Sequence, residues 1–86
     1  MNKLEVRVFV EDWCDTCKKV IPDLINLEQT YKSSTDWKNM SVDADGPSNN
    51  ITAVPTVIFL KNNVELERMI GERPSIFYEL AIKKYL

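Results

Sequence analysis

The hydrophobic period of this chain changes at residue 14, and few folds accommodate such a change at that place. Leu4, Val6, Val8, Phe9 and Val10 form a β-branched, largely alternating run that reads as a first strand ending at Glu11-Asp12-Trp13. From there on, Cys17, Val20, Ile21, Leu24, Leu27, Glu28 and Tyr31 recur at three- and four-residue spacings, the stripe of an amphipathic helix. Pro22 falls inside that helix, where it removes one backbone hydrogen bond and predicts a kink. At the junction sits Cys14-Asp15-Thr16-Cys17, whose two cysteines are the only ones among 86 residues.

The rest of the chain continues the alternation of elements. Ser33-Ser34-Thr35-Asp36 reads as a polar break, and Trp37, Met40 and Val42 suggest a second strand. Residues 43–50 are turn-rich, with room for a short helix after Pro47. Pro55-Thr56-Val57-Ile58-Phe59-Leu60 reads as a buried strand. Lys61-Asn62-Asn63 then turns it into a fourth strand, Val64 to Ile70, which Gly71 ends. Pro74 suits the first turn of a closing helix, with Ile76, Phe77, Leu80 and Ala81 as its predicted apolar stripe. The first two strands should pair in parallel across a right-handed crossover, and the last two should form an antiparallel hairpin. The expected class is α/β, a β-α-β-α-β-β-α chain with a four-stranded mixed sheet flanked by helices. One domain over residues 1–86 is expected, since the length suffices for one and not for two.

Composition narrows the function. A net charge of −2 without any basic run argues against a nucleic-acid partner. No apolar run approaches the roughly 18–20 residues of a membrane span. The opening Met1-Asn2-Lys3-Leu4-Glu5 lacks a signal-peptide pattern, so a cytoplasmic protein is expected.

The cysteines then decide the chemistry. A bridge between residues 14 and 17 closes a tiny loop and constrains little of the unfolded chain, so stapling explains the pair poorly. A closed zinc site needs four ligands, and there is neither a histidine nor a second cysteine pair. Zinc would therefore need two chains or several carboxylates, and a pair of inert structural thiols is the other plain alternative. Placed where a strand gives way to a helix, the pair reads as redox-active. Cys14 would lie at the helix N-terminus, where the dipole and free N–H groups favour the attacking thiolate. Cys17, one turn on and more buried, would resolve the mixed disulfide that Cys14 forms.

With these residues in view, the chain resembles the thioredoxin superfamily. Trp13-Cys14-Asp15-Thr16-Cys17-Lys18 is similar to the family segment Trp-Cys-Gly-Pro-Cys-Lys, and Pro22 matches the helix proline. Met40-Ser41-Val42-Asp43 is similar to the family's second-strand end. Ala53-Val54-Pro55-Thr56 resembles the loop whose proline is cis, and Gly71 the glycine after the hairpin. The likeness runs from about Leu4 to Leu86 without the N-terminal strand and helix of longer thioredoxins, a thioredoxin-like fold of glutaredoxin size. It implies Cys14 and Cys17 as catalytic residues and Trp13, Val54, Pro55 and Gly71 as substrate-binding ones. It implies no cofactor beyond the Cys14–Cys17 disulfide and no metal. The partners it implies are disulfide-containing proteins and a thioredoxin-reductase-like or thiol electron donor, with a monomer as the default state.

The departures from the pattern are equally specific. The buried acid expected six residues before the first cysteine is Val8, and the lysine that accompanies it is Asn39. Water, Asp12 or Asp15 would have to take the resolving proton. Asp15-Thr16 replaces Gly-Pro, adding a negative charge beside Cys14 that Lys18, Lys19 and the helix end oppose. Without a histidine in the spacer, a reductant is favoured over an oxidant. Gly71-Glu72-Arg73-Pro74 stands where glutaredoxins carry a Gly-Gly-x-Asp-like stretch, which ranks glutathione use second. A non-catalytic redox sensor or partner-binding module is the alternative from another class.

Overall fold

The computed structural model describes residues 3–86. Its elements are β1 (Leu4–Phe9), α1 (Asp15–Thr30), β2 (Thr35–Met40), α2 (Val42–Asn49), β3 (Thr56–Lys61), β4 (Val64–Ile70) and α3 (Ser75–Tyr85). They build one sheet in the order β2-β1-β3-β4. β1 pairs in parallel with β2 and β3 is antiparallel to β4, as the order of elements predicts, while β3 also runs antiparallel to β1.

The alternation in β1 sorts its side chains onto two faces. Leu4, Val6 and Val8 point to the layer of α1 and α3, where they meet Val20, Leu24, Leu27, Tyr78, Ala81 and Ile82. Phe9 joins Ile58 and Leu60 in a second, smaller cluster, closed by Met40, Val42, Ile51 and Val54. β3 is covered on both faces, which is why its sequence is a continuous apolar run rather than an alternating one. The hairpin after it turns on Asn62 and Asn63, both at positive φ (56° and 63°), a conformation asparagine tolerates well.

Three details depart from the sequence reading. α2 begins at Val42, not after Pro47, so Val42 is helical and β2 instead takes in Thr35 and Asp36. The cause is a reciprocal cap. The Ser41 hydroxyl accepts from the Ala44 N–H at 3.2 Å, and the Asp45 carboxylate accepts from the Ser41 N–H at 3.1 Å. Ser41→Ala should therefore cost about 1 kcal/mol of stability, read as a lowered urea midpoint. The third departure lies in α3. Tyr78, Ala81 and Ile82 are its buried residues, while Ile76, Phe77 and Leu80 are 55%, 49% and 53% exposed. Pro74 caps this helix from just outside its first turn.

Where α2 ends, the sheet supplies what the helix lacks. No basic residue occupies its last turn. Arg68 of β4 donates to the carbonyls of Asn49 (2.9 Å) and Asn50 (3.2 Å) and pairs with Glu65 (2.7 Å). A cation is thereby placed on the negative end of the helix from another element. The neighbouring guanidinium also holds the Glu65 carboxyl below its usual range. Arg7 donates to the Asn49 side chain at 2.8 Å and pairs with Glu5.

Polar ties also fix α3. The Tyr31 hydroxyl donates to Glu79 (2.8 Å), the Tyr85 hydroxyl to Glu67 (2.9 Å), and the Lys61 ammonium to the Tyr85 carbonyl (2.9 Å). Among the described residues, no helix is long and apolar enough to cross a membrane.

Candidate active site

The cysteine pair sits where β1 has run out and α1 begins. Cys14 is the N-cap of α1, in extended backbone conformation, and its sulfur accepts the Cys17 N–H at 3.1 Å. A sulfur thus fills the role that a serine or aspartate oxygen usually takes, and it sits at the positive end of the helix dipole. The two cysteines form a disulfide across a Cα–Cα distance of 5.2 Å. Cys14 keeps 6% of its surface exposed and Cys17 none, the order expected of an attacking and a resolving sulfur. Asp15 lies 4.0 Å from Lys18, both well exposed, so the spacer's charge is partly offset by its neighbour on the helix.

The residues predicted beside the pair come from three separate loops. Trp13 is 75% exposed and shares a shallow apolar groove of about 170 Å³ with Val42, Ile51, Thr52, Ala53 and Val54. The Val54 carbonyl lies 3.8 Å from the Cys14 sulfur, and the Val54–Pro55 bond is cis. Pro55 itself is buried, and its carbonyl accepts the Gly71 N–H at 2.8 Å. The amide of Gly71 is therefore already engaged in holding the proline loop. Gly71 has φ +90°, a region that disfavours any side chain. Gly71→Ala should cost about 1–2 kcal/mol and slow disulfide exchange, which denaturation and turnover assays on one preparation would show.

Sequence reasoning missed several members of the site, Val42, Ile51, Thr52 and Thr16 among them. Val42 and Ile51 enter the groove because α2 starts earlier than expected and sets one at each of its ends. Thr16, taken only as a spacer, has its hydroxyl oxygen 3.3 Å from the Cys14 sulfur. Such a contact has no signature in hydrophobic pattern.

Val8 and Asn39, the two departures from the family pattern, are register partners across β1 and β2. They line a groove of about 200 Å³ whose other walls include Ile21, Leu24, Ile25 and Trp37. The place for an acid and a base is thus kept as a mostly apolar surface. Among the described residues the hydrogen-bonding partners of the two sulfurs are Thr16, the Val54 carbonyl and the Cys17 N–H, with no carboxylate. No group of three or more metal-ligating side chains occurs among them either.

The comparisons with known proteins agree with this geometry. The thioredoxin family model matches residues 2–83. Thioredoxin-1 of Saccharomyces cerevisiae is 30% identical, over 86% of this chain and 74% of its own length. The chloroplast M-type thioredoxin of Spinacia oleracea is 34% identical over 95% of this chain, which spans only 49% of that relative. The solved Plasmodium falciparum thioredoxin superposes with a TM-score of 0.84 at 28% identity, covering 100% of this chain and 85% of its own. A sulfur-capped helix beside a cis-proline loop, in a chain matched nearly end to end, belongs to the thioredoxin family, whose members are disulfide oxidoreductases.

Proposed function

We propose that this chain reduces protein disulfides as a dithiol reductant, with Cys14 attacking and Cys17 resolving. The observation that carries the reading is the placement of the Cys14 sulfur. It caps α1, it retains the pair's only exposure, and it borders an apolar groove formed by Trp13 and Val54. An extended segment on either side of a substrate disulfide would lie in that groove, with backbone groups of the 52–54 loop as partners. In the first step the Cys14 thiolate bonds to one substrate sulfur and the other leaves as thiolate. In the second, the Cys17 thiolate bonds to Cys14 and releases the remaining substrate sulfur, so two electrons pass to the substrate.

The oxidised pair is then restored by a thioredoxin-reductase-like enzyme or another thiol donor, in a reducing compartment for which the cytoplasm is our assignment. The test is the reduction potential of the pair in defined thiol–disulfide buffers, followed by turnover on insulin. Thioredoxin itself lies at roughly −270 mV, a family reference value and not one calculated from these residues. A potential near it with insulin turnover supports a reductant. One near roughly −120 mV identifies a disulfide donor and overturns the proposed direction.

A further inference from the structure

We propose that the Thr16 hydroxyl activates Cys14, by donating a hydrogen bond to its sulfur whenever the disulfide is open. The inference rests on Cys14 being the attacking sulfur, as proposed above. Three polar groups meet that sulfur: the Cys17 N–H at 3.1 Å, the Thr16 hydroxyl at 3.3 Å and the Val54 carbonyl at 3.8 Å. The first two can donate and the third can only accept. A carbonyl favours the protonated thiol, while donors favour the thiolate. Thr16 therefore supplies the side-chain half of the thiolate's stabilisation, in a site where the described contacts include no lysine, histidine or carboxylate.

Its position on α1 leaves the hydroxyl free for this task. A threonine beyond the first turn of a helix commonly turns its hydroxyl to the carbonyl four residues back, as Thr30 at the end of α1 does with Asn26 at 2.8 Å. Thr16 is the second residue of α1, and the corresponding carbonyl belongs to Asp12, ahead of the helix. Cys14 is the one hydrogen-bond partner described for its side chain. The β-branched side chain has few rotamers, so the hydroxyl is held in place.

A disulfide sulfur is a weak acceptor and a thiolate a strong one, so the bond gains most of its strength on reduction. Stabilising the reduced form makes the pair less reducing than it would otherwise be. It also raises the thiolate fraction that attacks the substrate disulfide near neutral pH. Thr16 is therefore a setting between driving force and speed.

The test compares the reduced parent protein with Thr16→Val, which exchanges hydroxyl for methyl at nearly constant shape, and with Thr16→Ser, which keeps the hydroxyl. Iodoacetamide alkylation is followed against pH, with peptide mass spectrometry to identify the cysteine modified. For Thr16→Val the midpoint of the Cys14 curve should rise by about one unit, with roughly tenfold slower alkylation below both midpoints. Above both midpoints its reduction potential should be about 30 mV more negative, the tenfold change expressed for a two-electron couple. Thr16→Ser should recover most of both shifts. Thr16→Ala, a simple truncation at an exposed position, should behave like the valine variant and shows that a β-branched apolar group is not the cause. Unchanged midpoints in the valine and alanine variants would overturn the role of Thr16 while leaving the proposed function intact. Preferential alkylation of Cys17 in the parent protein would overturn both.

Discussion

Cys14→Ser is expected to lower disulfide reduction by several orders of magnitude, to the level of the reductant alone. A serine hydroxyl is hardly ionised at neutral pH and forms no mixed disulfide, whereas the thiolate is the nucleophile of exchange. The same substitution suits the fold, because serine is among the preferred N-caps and its oxygen can accept the Cys17 N–H as the sulfur does. Loss of activity would therefore not reflect loss of α1. The one structural debit is the missing cross-link, about 2 kcal/mol relative to the oxidised parent for so small a loop, so the reduced parent is the proper reference. Cys17→Ser should behave differently. It leaves the attack intact and removes the resolution, so substrate should accumulate on Cys14 as a mixed disulfide. Insulin turnover and non-reducing electrophoresis read the two outcomes. An active Cys14→Ser protein, or a Cys17→Ser protein that traps nothing, would remove the assignment of roles.

The largest effect on stability is expected at Phe9. Phe9→Ala should cost about 3–5 kcal/mol, the usual range for emptying a buried aromatic site. A chain of 86 residues has a total stability of only about 4–13 kcal/mol at the usual density per residue. The loss is therefore about a quarter or more of the whole, about 12–40 °C in melting temperature. The damage should be concentrated on one side of the sheet. Phe9, Ile58 and Leu60 are the buried members of the small cluster on which Val42, Ile51 and Val54 rest, and those three also form the groove beside Cys14. Phe9→Leu should cost far less, because it keeps most of the volume. Urea titration of both variants tests this. A Phe9→Ala midpoint close to the parent's would show that the cluster does not support the site.

The legible parts of the fold were those where pattern and position agree. The change of period at Cys14 located the strand, the helix and the reactive pair together, since each depends on residues adjacent in sequence. The doubly buried β3 and the asparagine turn after it were equally plain. α2 was misplaced because Pro47 looked like a helix start, while the Ser41 hydroxyl and the Asp45 carboxylate had already capped the chain five residues earlier. α3 shows another limit. Ile76, Phe77, Tyr78, Leu80, Ala81 and Ile82 put apolar groups almost all round that helix, so period alone leaves its rotation open. Its rotation is held by polar ties from Tyr31 and Glu67 to Glu79 and Tyr85, contacts 48 and 18 residues apart in sequence. Within the site, Trp13 and Val54 were found through family resemblance and stand in one groove. Thr16 depended on a distance between a hydroxyl and a sulfur, which only coordinates express.

The polarity of the sheet has a practical corollary. β1 starts beside Leu60 and finishes beside Thr56, at the end where the cysteines stand. The carbonyl of Tyr85, next to the last residue, is held by Lys61 at the opposite end of β3. The first and last described residues thus share one pole of the molecule, and the reactive cleft occupies the other. A surface tether attached to the first or the last described residue would therefore leave from the side away from incoming substrate, so immobilisation through either one keeps the cleft open.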